Sequence, residues 1–280
     1  MKSVAALASI LALSAALGGA AVAAPPLKPG PADWRTPDPE NVLVIDTTQG
    51  RVFVELTPVV APQTVDRIKT LSRQHMYDGL VFFRVIDDFM AQTGDPKNTG
   101  EGDSPLPNVP AEFNFRRGAA TPFVTINRAD GAEYGFVGPL PAQSKPIGLA
   151  ALTADGKVPA TGLFCTGTIG MARTADPNSG NSQFFLLRYD YQSLNAKYTV
   201  FGRVIAGESA VRALKVGEPP TSPDKMLKVQ LLADMPAASR PQVRVVDTAS
   251  AFFAKTVAAA KASAGDAFNP CDLEIPAEVK

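Results

Sequence analysis

Two short apolar runs set the first constraint on this fold. Val42-Leu43-Val44-Ile45 and Arg51-Val52-Phe53-Val54-Glu55-Leu56 are rich in β-branched and aliphatic residues, and the turn between them carries Thr47-Thr48-Gln49-Gly50. They predict a β-hairpin. Further strand-like runs follow at residues 80–86, 167–172, 183–188 and 199–204. Helical spacing occurs twice in the same span. Pro62 opens a stretch to about Arg73 with Val65, Ile68 and Leu71 on one face, and residues 208–214 turn Val211 and Leu214 inward. With 25 Pro and 22 Gly punctuating 280 residues, this order predicts a mainly β fold. The expected form is a closed antiparallel barrel capped by two α-helices, because closure removes exposed strand edges.

The flanks have a different character. Lys2, the apolar run from Val4 to Leu17 and the A-x-A site Ala21-Val22-Ala23 predict a signal peptide over residues 1–23, cleaved to leave Ala24 first. Residues 24–41, rich in Pro and small side chains, are expected to be a linker with Trp34 as an anchor. Residues 117–166 are Gly-, Pro- and Ala-rich without clear periodicity, which predicts an ordered surface excursion beside the groove, not part of the barrel and outside the core. After residue 234 comes a C-terminal extension. It carries Val243, Val245 and Val246, then a helix expected over 248–263, capped by Asp247, stopped by Gly265 and docked through Phe252, Phe253 and Val257.

Charge and residue counts exclude several functions. Lys plus Arg and Asp plus Glu both number 27, so nothing points to nucleic acid. Beyond the N-terminus no apolar run is long enough to span a membrane. His75 is the only histidine and sits among polar residues, which argues against a histidine-dependent triad and for a solvated side chain. Two cysteines and one histidine do not make a usual zinc set, and Asp176-Pro177-Asn178-Ser179-Gly180 lacks the spacing of a calcium loop. Gly100-Glu101-Gly102 lacks the third glycine of a dinucleotide loop, and Asp87-Asp88 reads as a turn because adjacent strand residues face opposite ways. No metal and no cofactor is expected. Export to an oxidising compartment leaves Cys165 and Cys271 one possible intramolecular pairing, which would tie the insertion to the tail. Two separately buried thiols are the alternative.

Chemistry concentrates in residues 82–96. Strand alternation sets Arg84 opposite in face to Phe83 and Val85, while Met90 and Gln92 share a face. An arginine in so apolar a stretch is costly to bury without a role or a partner, and a structural ion pair with a carboxylate would satisfy it equally well.

Three blocks carry a family resemblance. The first is Gly50-Arg51-Val52-Phe53-Val54-Glu55-Leu56 followed by Ala61-Pro62-Gln63-Thr64-Val65. In the second, Phe82-Phe83-Arg84-Val85-Ile86-Asp87-Asp88-Phe89-Met90-Ala91-Gln92-Thr93-Gly94-Asp95-Pro96 is close to F-H-R-V-I-x-x-F-M-x-Q-x-G-D-P. The third runs from Gly167-Thr168-Ile169-Gly170-Met171-Ala172-Arg173 through Asn181-Ser182-Gln183-Phe184-Phe185 to Val200-Phe201-Gly202-Arg203-Val204. In content and order, residues 42–233 outside the insertion resemble the cyclophilin family. The resemblance implies a peptidyl-prolyl cis/trans isomerase domain. Arg84 matches the catalytic arginine, and Phe89, Met90, Gln92, Ala172, Gln183, Phe185 and Leu194 match the proline pocket and adjoining groove. Arg173 falls where the backbone, more than the side chain, holds substrate.

Three departures stand out. Phe83 replaces a common histidine, Tyr198 occupies the groove position of another, and Ser193 stands where cyclosporin-sensitive members carry tryptophan. Tight cyclosporin binding is therefore not expected. The implied partners are proline-containing peptides and unfolded exported proteins, met by a monomer in the periplasm or, alternatively, outside the cell. A non-catalytic binding module or holdase using the same groove is the competing reading, followed by an envelope protein dominated by its insertion and tail.

Overall fold

A computed structural model describes residues 27–280, so the signal peptide expected over 1–23 lies outside the described residues. Trp34–Arg35 forms β1. The expected hairpin is β2 (Val42–Thr47) and β3 (Gly50–Leu56), paired from Val42 opposite Glu55 to Thr47 opposite Gly50. In its turn, Thr47 Oγ1 donates to the Gly50 carbonyl at 2.7 Å and accepts from Gln49 N–H at 3.1 Å. Pro62 opens α1 (Pro62–Arg73), where a missing N–H costs nothing, and Val65, Ile68 and Leu71 are wholly buried. Two of the free N–H groups in its first turn, Gln63 and Thr64, donate to the Glu112 carboxylate at 2.9 and 2.8 Å.

The chain continues through β4 (Arg84–Val85), β5 (Met90–Thr93), β6 (Phe115–Arg117), β7 (Phe123–Ala129), β8 (Ala132–Val137), β9 (Leu140–Ser144) and β10 (Val158–Gly162). Then come β11 (Thr168–Met171), β12 (Phe184–Leu187), β13 (Val200–Ala206), α2 (Glu208–Ala213) and β14 (Met226–Leu231). The tail adds β15 (Val243–Val246), α3 (Ala251–Ala264) and β16 (Ala277–Val279).

One curled antiparallel sheet has eight strands in the order β14-β2-β3-β13-β11-β12-β5-β4. Its concave face gathers Leu43, Ile45, Val54, Ile169, Phe184, Phe201 and Val229 with the apolar faces of α1 and α2 into the main core. The sheet's edges meet through an isolated bridge, Val81 opposite Lys225, backed by Gly79 N–H to Met226 O at 2.7 Å and Phe82 N–H to Asp224 O at 2.9 Å. This link replaces the continuous closing ladder that a fully closed barrel would carry.

The insertion is ordered and stands outside the barrel sheet, but it is not outside the core. Residues 115–162 form a second, five-stranded antiparallel sheet in the order β6-β10-β9-β8-β7, with an apolar face of its own. From that face Val137, Leu140, Ala142 and Ala160, with Phe164 beyond the last strand, pack on Met90, Phe185, Leu187 and Val200 from the outer face of the first sheet. The segment is part of the core, and all four residues of β12 are consequently buried. The opposite end of this sheet holds a buried ion pair, Arg117 Nη1 to Glu133 Oε2 at 2.6 Å, with Arg117 also 3.8 Å above the Phe123 ring. Arg128 Nε reaches the other oxygen of Glu133 at 3.1 Å. Gly135 is required here, since a Cβ would stand 2.1 Å from the Val124 carbonyl oxygen on the neighbouring strand.

A third sheet, β1-β15-β16, joins the two ends of the described chain. From Trp34 onward the segment expected as a linker is thus packed. Trp34 pairs with Val246, and Arg35 makes a two-pronged ion pair with Glu55 on β3 at 2.8 Å. The tail helix α3 starts three residues later than expected. Its N-cap is Ser250, whose hydroxyl accepts from Phe253 N–H, while Asp247 accepts from Ala249 N–H in the turn before it. Phe252, Phe253 and Val257 dock on Phe136 and Ile126, so α3 covers the face of the second sheet opposite Val137. Cys165 and Cys271 are joined in a disulfide, with Cα atoms 5.1 Å apart, that ties the root of the second sheet to the tail.

Candidate active site

Strand register lines up the predicted residues. Arg84 lies opposite Gln92 across β4 and β5, Gln92 opposite Phe185 across β5 and β12, and Phe185 opposite Gly170 across β12 and β11. Directly opposed residues share a face, so Arg84, Gln92 and Phe185 form one row on the outer side of the curled sheet. Gly170 continues the row toward Val200 on β13, and it lacks a side chain for a steric reason. A Cβ there would sit 2.5 Å from the Phe185 ring and 2.7 Å from that of Phe164. Its absence lets Phe185 stack on Phe164, ring centres 5.9 Å apart.

The polar half of the row is a directed chain of hydrogen bonds. Gln183 Nε2 donates to the carbonyls of Gly100 and Gly102 at 3.0 and 2.9 Å, which leaves its oxygen to accept from Gln92 Nε2 at 3.0 Å. Gln92 must therefore turn its own oxygen toward Arg84, whose Nη1 stands 3.5 Å away. The loop that supplies the two carbonyls is organised by Asp95, which accepts from Lys97, Thr99 and Gly100 N–H at 2.7, 2.8 and 2.6 Å. Burial opposes ionisation of Asp95, but these backbone donors and that of Gly102 outweigh it and hold the carboxyl below the usual aspartate range.

The apolar half is a shallow aromatic hollow. Phe89 and Tyr198 stand 6.5 and 6.1 Å from Phe185, and partly buried Ala172 and Leu194 pack against the same cluster. Met90 is almost fully buried and forms the floor. Arg173 spends its guanidinium internally, donating twice to the Lys197 carbonyl and lying 4.2 Å above the Tyr198 ring, which leaves its backbone beside the groove. A polar cleft of about 270 Å³ continues from the row between Gln92, Glu101, Asp103, Ala172 and Gln183. A larger one, about 570 Å³, lies between Arg35, Pro58, Pro122 and Thr248 and touches none of these residues.

All ten substrate-site residues predicted from sequence thus come together. Sequence reasoning missed three neighbours. Phe164 backs Phe185, Tyr191 lies 4.2 Å from Phe89 ring to ring, and Glu218 accepts from Arg84 Nε at 2.6 Å. The ion pair that sequence left open for Arg84 exists, alongside its contact to Gln92. His75 is an exposed partner of Asp78, and Asp87 accepts from the buried guanidinium of Arg188.

An outward arginine, a glutamine relay and an aromatic hollow thus lie side by side on the outer face of the curled β-sheet. The chain belongs to the cyclophilin family. The family model described as cyclophilin type peptidyl-prolyl cis-trans isomerase/CLD matches residues 42–231. A probable peptidyl-prolyl cis-trans isomerase of Brucella suis is 35% identical over 213 residues, covering 70% of this chain and 85% of that protein. The peptidyl-prolyl cis-trans isomerase ppi1 of Schizosaccharomyces pombe is 27% identical over 195 residues, or 67% of this chain and 97% of that one. The crystal structure of cyclophilin AquaCyp293 from Hirschia baltica superposes with a TM-score of 0.82 at 34% identity, over 89% of this chain and 94% of that one. That span takes the structural likeness into the segments flanking residues 42–231.

Proposed function

We propose that this cyclophilin-type isomerase turns X-Pro bonds of exported proteins by using Arg84 to stabilise the twisted amide. Rotation about a peptide bond costs about 18–20 kcal/mol because resonance makes the C–N bond partly double. As the bond twists, the prolyl nitrogen becomes pyramidal and regains a lone pair. A fixed donor then binds the twisted state better than the planar one, which is the condition for acceleration. The observation that carries this reading is the register-fixed row of Arg84, Gln92 and Phe185. It sets a guanidinium with Nε and Nη1 already engaged beside an aromatic seat for the ring. Arginine does not give up its proton, so the effect is electrostatic. Phe89, Phe185, Leu194 and Tyr198 hold the proline, and Gln92 and Gln183 hold the peptide beside it.

Arg84→Ala is the test. Turnover of an X-Pro peptide in an NMR exchange assay should fall roughly a hundred- to thousand-fold, the effect of removing one preorganised donor, with circular dichroism unchanged. Arg84→Lys should recover only part, because lysine lacks the planar fork. Turnover near wild type in folded Arg84→Ala protein would leave a binding module or holdase as the better account. The exported, periplasmic setting rests on the Lys2-to-Ala23 pattern, and a mature N-terminus other than Ala24 in protein recovered from the cell envelope would count against it.

A further inference from the structure

We propose that Glu218 is a positioning residue of this site, clamping the Arg84 guanidinium from the side opposite Gln92 and leaving Nη2 for the peptide. The inference rests on Arg84 being the donor. Its support is the backbone around the pair. Val85 and Gly217 exchange both hydrogen bonds, Val85 N–H to Gly217 O at 2.8 Å and Gly217 N–H to Val85 O at 2.9 Å. In an antiparallel pair that register puts residue 84 directly opposite residue 218, so Arg84 is flanked by Gln92 on one side and Glu218 on the other.

The loop that delivers Glu218 is held at both ends. Upstream, the buried Arg188 donates to the carbonyls of Arg212 and Leu214 at 2.8 and 3.1 Å, and Lys215 N–H donates to Asp224 at 2.9 Å. Downstream, Pro219 and Pro220 fix their own φ angles. Gly217 is obligatory, with φ at +153° and a would-be Cβ 2.5 Å from the Pro220 Cα. An exposed ion pair between two freely moving side chains does little for stability. Here the carboxylate arrives on a braced backbone, so its effect falls on where the guanidinium points. A long side chain pinned at Nε and Nη1 gives up its rotamer freedom before substrate arrives, and such pre-orientation acts on the catalytic rate.

The experiment compares Glu218→Ala, Glu218→Gln and the control Glu208→Gln, which alters an exposed carboxylate on α2 paired with Arg212. Glu218→Ala should lower kcat about tenfold with KM within about twofold. Glu218→Gln should restore much of that, since its amide oxygen still accepts from Nε–H, and Glu208→Gln should match wild type. The Arg84 Nε–H resonance, followed by ¹⁵N NMR, should be protected from exchange in wild type and lose protection in Glu218→Ala. Unchanged or increased kcat in Glu218→Ala, or an Arg84 Nε–H equally unprotected in wild type, overturns the proposal. If Glu218→Ala fails to fold, Glu218→Leu, which also lacks an acceptor for Arg84 Nε–H, is read in its place, and kcat and Nε–H protection equal to those of Glu208→Gln overturn the proposal equally. Loss of activity in Arg84→Ala together with full activity in Glu218→Ala would refute the clamp alone, whereas activity in Arg84→Ala would refute the donor itself.

Discussion

The two larger sheets of this molecule are built on opposite principles. The eight-stranded sheet wraps an interior of Leu, Ile, Val, Phe and Met closed by α1 and α2. The five-stranded sheet has a thinner apolar face and spends buried volume on Arg117, Glu133 and Ser144. The first is stabilised chiefly by removing apolar surface from water, which is indifferent to pH and redox state. The second leans on a disulfide to the tail, a buried charge network and the covering helix α3. Both contribute to the groove, because Phe185 from one is stacked on Phe164 beside the other. The Arg84 row stands on the first sheet and is backed by the second.

Breaking the disulfide tests this contrast most severely. Cys165 and Cys271 are 106 residues apart, and a cross-link over a loop of that length restricts the unfolded chain by an amount worth up to about 4–5 kcal/mol in the loop-entropy account. The double variant Cys165→Ser, Cys271→Ser should lose about 2–4 kcal/mol in urea unfolding. Hydrogen exchange should show where. Amides of β8, β9 and α3 are expected to lose protection while those of α1 and β2 keep it. Uniform loss across both sheets would mean that they unfold as one unit and that the contrast is only compositional.

The same contrast explains what was legible in the sequence. The strands of the first sheet alternate or run apolar, so Val42 to Leu56 is a hairpin on inspection. Arg84 and Gln92 stand out as polar residues on one face of an apolar stretch, and the family resemblance then assigns them roles. Strands of the second sheet hide because their buried positions include Glu133, Arg117, Gly135 and Ser144, which no hydrophobic period reports. Phe164 and Tyr191 were hidden by lying outside the strands. Glu218 is 134 residues from Arg84 and is brought there by a single bridge between two glycine- and proline-bounded segments, a pairing without local signature. The packing of Trp34 and Arg35 has no local signature, because β1 is only two residues long and finds its partners in the tail.

An acid titration sharpens the comparison next. Burial opposes ionisation of Glu133, but hydrogen bonds from Arg117 and Arg128, together with their charges, outweigh it and hold its carboxyl below the usual glutamate range. A carboxyl depressed in the folded state contributes stability that is present above its unfolded pKa, about 4.3, and is lost as pH falls through the folded value. The second sheet should therefore loosen below about pH 4, as should the loop organised by Asp95 and the closing link beside Asp224, whose carboxyls are depressed in the same sense, while the β2–β3 hairpin persists. Glu133→Gln should lose about 2 kcal/mol at neutral pH, because Arg117 stays buried with a weaker partner, and should flatten this acid dependence. The readout is the pH dependence of amide protection in β7 and β8. An unchanged profile in Glu133→Gln would assign the acid sensitivity to another group.

The smallest expected effect lies where the sheets and the tail meet. Arg203 on β13 is almost fully buried, yet its guanidinium reaches only the carbonyls of Pro139 and Leu273, both at 3.4 Å. No carboxylate lies within ion-pair distance of it among the described residues. Burial disfavours its charged form, and Glu208, Asp190 and Glu274 offset this only from a distance. A buried charge without a close partner costs stability, and arginine keeps that charge at every ordinary pH. Arg203→Met preserves the unbranched stem that packs at the joint and removes the charge, at the expense of two long hydrogen bonds. The outcome should be neutral or stabilising by about 1 kcal/mol, read as the urea midpoint at constant slope. Isomerase turnover should be unchanged, since Arg203 lies apart from the Arg84 row. A loss above about 2 kcal/mol would show that those two bonds hold the joint together, and the eight-stranded sheet would then share its neighbour's dependence on buried charge.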